Sequence, residues 1–150
     1  MKNKLSGEQF KIYIAAYLVL LKKKEVLLLR RFNTGYRDGM YSLVAGHLEH
    51  GETAEQCIIR EAKEEADITL LPEDLLVKHV MHRRTKDREY IDVYVTAANW
   101  NGTIQNMEPH KCDDLSWFSM DSLPENTIDE VVFALKNIEQ GIFYSNFGWS

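Results

Sequence analysis

Cysteine is scarce in this chain, a cationic excess is missing, and no apolar run is long. There are two cysteines, Cys57 and Cys112, without metal-site spacing. With no signal-peptide pattern, they read as free thiols in a reducing, cytoplasmic setting. Lysine and arginine number 18 against 23 acidic residues, a formal net charge of −5. That balance argues against a general binder of nucleic acid polymers, which would present a basic face. It leaves room for a phosphorylated small molecule, because a bound cation can supply positive charge locally. The longest apolar run, Ile12 to Leu21, is too short to cross a bilayer, so no membrane span is expected. Internal repeats, low-complexity segments and linkers are also missing. The 150 residues therefore read as one domain, 1–150.

What is present is ordinary globular material, 45% hydrophobic and 27% charged. Phe10 to Leu21 is rich in β-branched and aromatic residues and reads as a central strand. Glu25 to Arg31 follows a charged turn and reads as its hairpin partner. Tyr41 to Ala45 is a short strand. Leu75 to Arg83 and Tyr90 to Ala98 read as antiparallel strands joined by the charged turn Arg84 to Glu89. In the second, Ile91, Val93 and Val95 share one face and Tyr90, Asp92 and Tyr94 the other. Trp100 to Asp114 reads as a long loop and Leu115 to Met120 as a short strand. Ile128 to Glu139 is amphipathic, with Val131, Leu135 and Ile138 inward, and Gly141 ends it. The polar stretch Met1 to Gln9 reads as a loosely docked terminus. The tail aromatics Phe143, Tyr144, Phe147 and Trp149 should dock on the body or form a homodimer contact.

One stretch organises the rest: Gly46 to Ile68, GHLEHGETAEQCIIREAKEEADI. A glycine-bearing loop, Gly46 to Glu52, runs into a helical pattern. Thr53 is placed to cap that helix, with Gln56 completing a capping box. Glu61, Glu64 and Glu65 stand at i, i+3 and i+4, which puts three carboxylates on one narrow face. Clustered acidic residues on a helix usually mark only a solvated face. Here Ile58, Ile59, Ala62 and Ala66 form an apolar stripe beside them, so the carboxylates sit at the edge of a packed interface under the loop. Such a set suits a hard divalent cation, Mg2+ or Mn2+.

The segment resembles the Nudix box, G-x5-E-x7-R-E-U-x-E-E-x-G-U, with U aliphatic. Gly46, Glu52, Arg60, Glu61, Ala62, Glu64, Glu65 and Ile68 fall in register. The late glycine is replaced by Asp67, which tolerates the left-handed conformation of a helix C-cap better than most residues. The resemblance implies an α/β fold, a mixed β-sheet sandwiched between helices. It implies Glu61, Glu64 and Glu65 as ligands of Mg2+ or Mn2+, with the Ala45 carbonyl beside them. It makes Glu61 and Glu64 the catalytic candidates, Glu61 most often the general base. Gly46, Glu52 and Arg60 would support the box, and Glu49 would assist from the loop. A further carboxylate is expected from the loop before Trp117, where Glu108, Asp113 and Asp114 compete.

The activity so implied is cation-dependent cleavage of the pyrophosphate in a nucleoside diphosphate linked to a group X. A nucleoside triphosphate or an oxidised nucleotide is the first version and a nucleotide sugar the alternative. A non-catalytic nucleotide-binding module is the second class of reading. Arg30, Arg31 and Arg37 are candidates for substrate phosphate, against the reading of solvated turn charges. Tyr90 is a candidate for the substrate's base, with Tyr13, Tyr17, Phe32, Tyr94 and Trp117 also considered. His79 and His82 are more simply packed or surface residues.

Overall fold

The computed structural model describes residues 9–150. The expectation for the N-terminal stretch therefore falls almost wholly outside the described residues. Nine strands and two α-helices follow in order: β1 Tyr13–Val19, β2 Leu21–Lys22, β3 Glu25–Arg31, β4 Tyr41–Ser42, β5 Val44–His47, α1 Ala54–Ala66, β6 Leu75–Arg84, β7 Glu89–Ala97, β8 Cys112–Ser119, α2 Asp129–Glu139 and β9 Tyr144–Phe147.

The strands form two sheets. A five-stranded mixed sheet has the order β5-β1-β7-β6-β9, with β1–β7 and β6–β9 parallel. A smaller antiparallel sheet joins β2, β3, β4 and β8. The long first strand divides at buried Leu20, so β1 enters one sheet and β2 the other. The hairpin expected for Glu25–Arg31 forms with β2 alone. The helices lie on opposite faces of the mixed sheet, which gives the expected sandwich. Helix α1 packs on β5, β1 and β7, and α2 on β6 and β9. Strand alternation makes this possible. Ala16, Leu18 and Val95 face α1 together with Ile58, Ala62 and Ala66. Val19, Tyr94 and Met81 face α2 together with Val131, Ala134 and Leu135. Both cysteines are buried free thiols.

One expectation is corrected, and another is met in its docking form. The loop before Trp117 ends earlier, because β8 begins at Cys112 and pairs along all of β3. The tail docks as a strand: β9 pairs with β6 from Val80↔Tyr144 to Arg83↔Phe147. Buried His79 holds it in place, its ring nitrogens 2.8 Å from the Ile142 carbonyl and 2.8 Å from Ser145 Oγ. Among the described residues no helix is long and apolar enough to cross a membrane.

Candidate active site

Strand β5 delivers the chain into the 46–52 loop, and Gly51, at φ 78°, lets that loop turn back. Thr53 caps α1 by accepting from the Gln56 N–H at 3.1 Å, while the Gln56 side chain accepts from the Thr53 N–H at 2.9 Å. At the other end Asp67 takes the left-handed conformation, φ 58°, and its N–H reaches the Ala62 and Lys63 carbonyls. The loop is fastened to the helix by Arg60. Its Nε and Nη2 donate to the two Glu52 carboxylate oxygens at 2.8 and 3.0 Å. This fork, with the Glu49 N–H, holds the Glu52 carboxyl down at about 2.

The third guanidinium nitrogen points at the acidic face. Arg60 Nη1 donates to Glu61 Oε1 at 2.6 Å and reaches Glu64 Oε2 at 3.4 Å. Gly46 is required by this arrangement for space: a Cβ there would lie 2.3 Å from Glu61 Oε1. Glu64 is half in solvent. Glu65 is different. Its Oε2 is buried and has no hydrogen-bond partner. Burial, then the neighbouring Glu61, then Glu108 hold its carboxyl well above the usual range. Among the described residues no three carboxylate, histidine or cysteine side chains already stand as a closed metal cage. The donor set nonetheless fits a hard cation: an orphaned buried oxygen, two further box carboxylates, Glu108 and an open hollow. That hollow, about 430 Å³, is lined by Glu61, Glu64, Glu65 and Glu108, with Arg31 and Lys111 as its cations. Ala45 lies outside the residues of positive φ, so alanine carries no backbone strain before the box.

A larger cavity of about 660 Å³ opens on the other side of Arg31 and Glu65, which line both. Its wall includes Ala45, Gly46, Tyr17, Tyr36 and Tyr90, and its rim includes Lys86 and Arg88. Its floor carries Arg83 and Glu130, each 5% exposed. Arg83 grips fully buried Asp92 with two bonds of 2.5 and 3.1 Å, and the Tyr90 ring covers the guanidinium at 4.0 Å. Burial keeps the Asp92 carboxyl above its usual value despite that grip.

The other sequence candidates separate. Arg30 pairs with Asp113 at 2.7 Å, so these two occupy each other away from both cavities. Asp114 accepts from the Tyr41 hydroxyl and from Ser116 Oγ. Of the three loop carboxylates, Glu108 is the one beside Glu65. Arg37 lies near the Tyr36 ring and pairs with Glu130 at 3.5 Å, outside both linings. Tyr17 and Tyr90 line the larger cavity, Tyr94 is buried in the core, and Trp117 packs near Trp100. Phe32 is exposed, and Tyr13 sits outside the cavity near Tyr90, His47 and Arg88.

The sequence model of the NUDIX domain matches residues 11–136. The chain belongs to this family. Its similarity to curated proteins runs to the NAD-capped RNA hydrolase NudC of Chromobacterium violaceum, 31% identical over 111 residues. That match covers 73% of this chain and 39% of the relative. NudC of Stutzerimonas stutzeri is 30% identical over 107 residues, 71% of this chain and 37% of the relative. The chain thus spans about two-fifths of the length of these relatives. Among solved structures, the MutT NUDIX hydrolase of Burkholderia pseudomallei superposes with a TM-score of 0.77 at 21% identity, over 84% of this chain and 97% of that one. The MutT protein of Methanosarcina mazei Go1 gives 0.75 at 20%, over 89% and 97%. Both likenesses establish the Nudix fold.

Several residues of this Nudix domain's two cavities were not singled out from the sequence: Arg83, Glu130, Lys86, Arg88, Lys111 and Tyr36. A signal existed for Arg83. The β7 alternation puts Asp92 on the Tyr94 face, and a carboxylate buried there needs a cation from the neighbouring strand. For Glu130 the signal was its place four residues before Ala134, on one helix face with that buried residue.

Proposed function

We propose that this Nudix domain is a divalent-cation-dependent pyrophosphohydrolase acting on a small nucleoside diphosphate linked to X. The observation that carries it is the orphaned Glu65 oxygen between Glu61 and Glu108, at the junction of the two cavities. Glu61, Glu64 and Glu65, with Glu108 and the Ala45 carbonyl, are the residues that would hold Mg2+ or Mn2+. A cation bound there neutralises the diphosphate and lowers the pKa of an attacking water. Arg60 orients Glu61 and keeps the acidic face from splaying under its own repulsion. Arg31 and Lys111 face the same hollow and supply charge for phosphate oxygens. The larger cavity takes the rest of the molecule.

The test is a nucleotide panel assayed with Mg2+, reading both products. Glu64→Gln should cut turnover at least tenfold, and because Glu64 is half in solvent the melting temperature should hold. Unchanged turnover would refute the assignment, and binding without turnover would favour the sensor-like module.

A second reading has its own support. The relatives at about 30% identity carry the name NAD-capped RNA hydrolase, and the rim residues Lys86 and Arg88 are cationic although the whole chain is acidic. A capped polynucleotide would place its phosphates along that rim. Its cleavage would fall steeply with added salt, while that of a free nucleotide would change little.

A further inference from the structure

Arg31 is the one cation that lines both hollows. Among the described residues no carboxylate stands within ion-pair distance of it. Its guanidinium is fixed instead by neutral acceptors of the loop that follows, residues 33–39. Nε donates to the Tyr36 carbonyl at 2.6 Å and Nη2 to Thr34 Oγ1 at 3.2 Å. Asn33, Gly35, Arg37 and Gly39 of that loop are left-handed, at φ 54°, 84°, 52° and 84°. Two of these are not glycine, so contacts must hold the conformation. Asp38 supplies them. Its carboxylate accepts from the Thr34 N–H at 3.0 Å, from the Gly35 N–H at 2.9 Å and from the Thr34 hydroxyl. With its hydrogen turned to Asp38, Thr34 Oγ1 keeps both lone pairs for Arg31 Nη2 and the Tyr36 N–H, each at 3.2 Å. Asp38 lies outside both linings and reaches Arg31 through Thr34.

We propose that Thr34 and Asp38 are positioning residues, which preset the Arg31 guanidinium as a clamp on one phosphate of a diphosphate bound where the two hollows meet. This rests on the pyrophosphohydrolase reading and deepens it. A free arginine side chain loses much rotamer freedom when it grips an anion, and one already fixed does not. The kind of hold matters as much as the hold. Arg30 is spent on Asp113 and Arg60 on Glu52, so a carboxylate already answers each charge. A carbonyl and a hydroxyl orient Arg31 without cancelling its charge, and Nη1 donates to no side chain or backbone oxygen among the described residues. The anion that comes to this junction therefore meets an oriented and unneutralised guanidinium.

Calorimetric binding of inorganic pyrophosphate in Mg2+ tests this without turnover. Arg31→Ala should weaken binding about tenfold. Thr34→Val and Asp38→Asn should each weaken it about threefold or more, through the freedom returned to Arg31. Thr34→Ser keeps the hydroxyl and should bind as the wild type does. In the Arg31→Ala background, Thr34→Val and Asp38→Asn should change nothing further. A loss that persists there would mean the two residues serve the loop and not the arginine, and it would overturn the proposal. Arg31→Lys decides the matter if the loop variants misfold. Lysine keeps the charge but cannot make both holding contacts, so it should bind about fivefold weaker than arginine. Equal binding by Arg31→Lys, or no binding of pyrophosphate by the wild type, would also overturn it. The hydrolase reading is judged separately, on Mg2+-dependent cleavage of the nucleotide panel by the wild-type protein.

Discussion

Single residues in this site carry charges that the fold has to keep under control. Glu52 is the clearest case. Its folded-state carboxyl is held at about 2 by the Arg60 fork, below an ordinary value of 4.5. A lowered folded value stabilises the protein above the unfolded value, and that stabilisation is lost as pH falls toward the folded one. Glu52→Gln should therefore melt below the wild type at pH 7, and the gap should close between about pH 4.5 and 2. A gap that stays constant across that window in thermal melts would show that Arg60 holds the loop by shape alone. Glu65 has the opposite sign: burial and neighbouring carboxylates disfavour its charge, which is the condition a hard cation relieves.

At the scale of elements, sequence and structure agree best where the cause is local. The capping box, the helix register of the three glutamates and the left-handed Asp67 cap all follow from residues a few positions apart. The cap gives a direct prediction. Asp67→Gly should be neutral or stabilising by up to about 1 kcal/mol, because glycine enters that conformation freely. Asp67→Ala should cost about 1 kcal/mol, from strain and loss of the 2.8 Å Lys63 contact. Denaturant midpoints check both, and Asp67→Gly clearly below wild type would refute the cap argument. Pairings between distant segments were less legible. The division of the first strand at Leu20, the parallel β1–β7 pair and the docking of β9 depend on partners tens of residues away. The charged turn 84–89 read only as the connection between two strands, whereas Lys86 and Arg88 line the larger cavity. The irregularity between Val77 and His79 shifts the register of β6, and along the strand His79, Met81 and Arg83 are buried alike.

On the scale of the whole molecule, the C-terminal strand closes the α2 side. Phe147 packs into that core cluster, His79 depends on the tail for both ring contacts, and Trp149 donates to the His82 carbonyl at 3.0 Å. Deleting residues 142–150 strips a buried histidine of its partners and bares a sheet edge. The expected loss is about 3 kcal/mol or more, on the order of 10 °C in melting temperature. An unchanged melt would mean the strand is an ornament of the fold. The wall that the two cavities share has a different consequence. Under the proposed function, a ligand reaching from the larger cavity to Glu61 and Glu64 would pass Arg31 and Glu65, which line both hollows, so the fold would act as a ruler. The bond that breaks would then be set by its distance from the end held in the larger cavity, and a molecule with a longer phosphate chain would present a different linkage to the same glutamates.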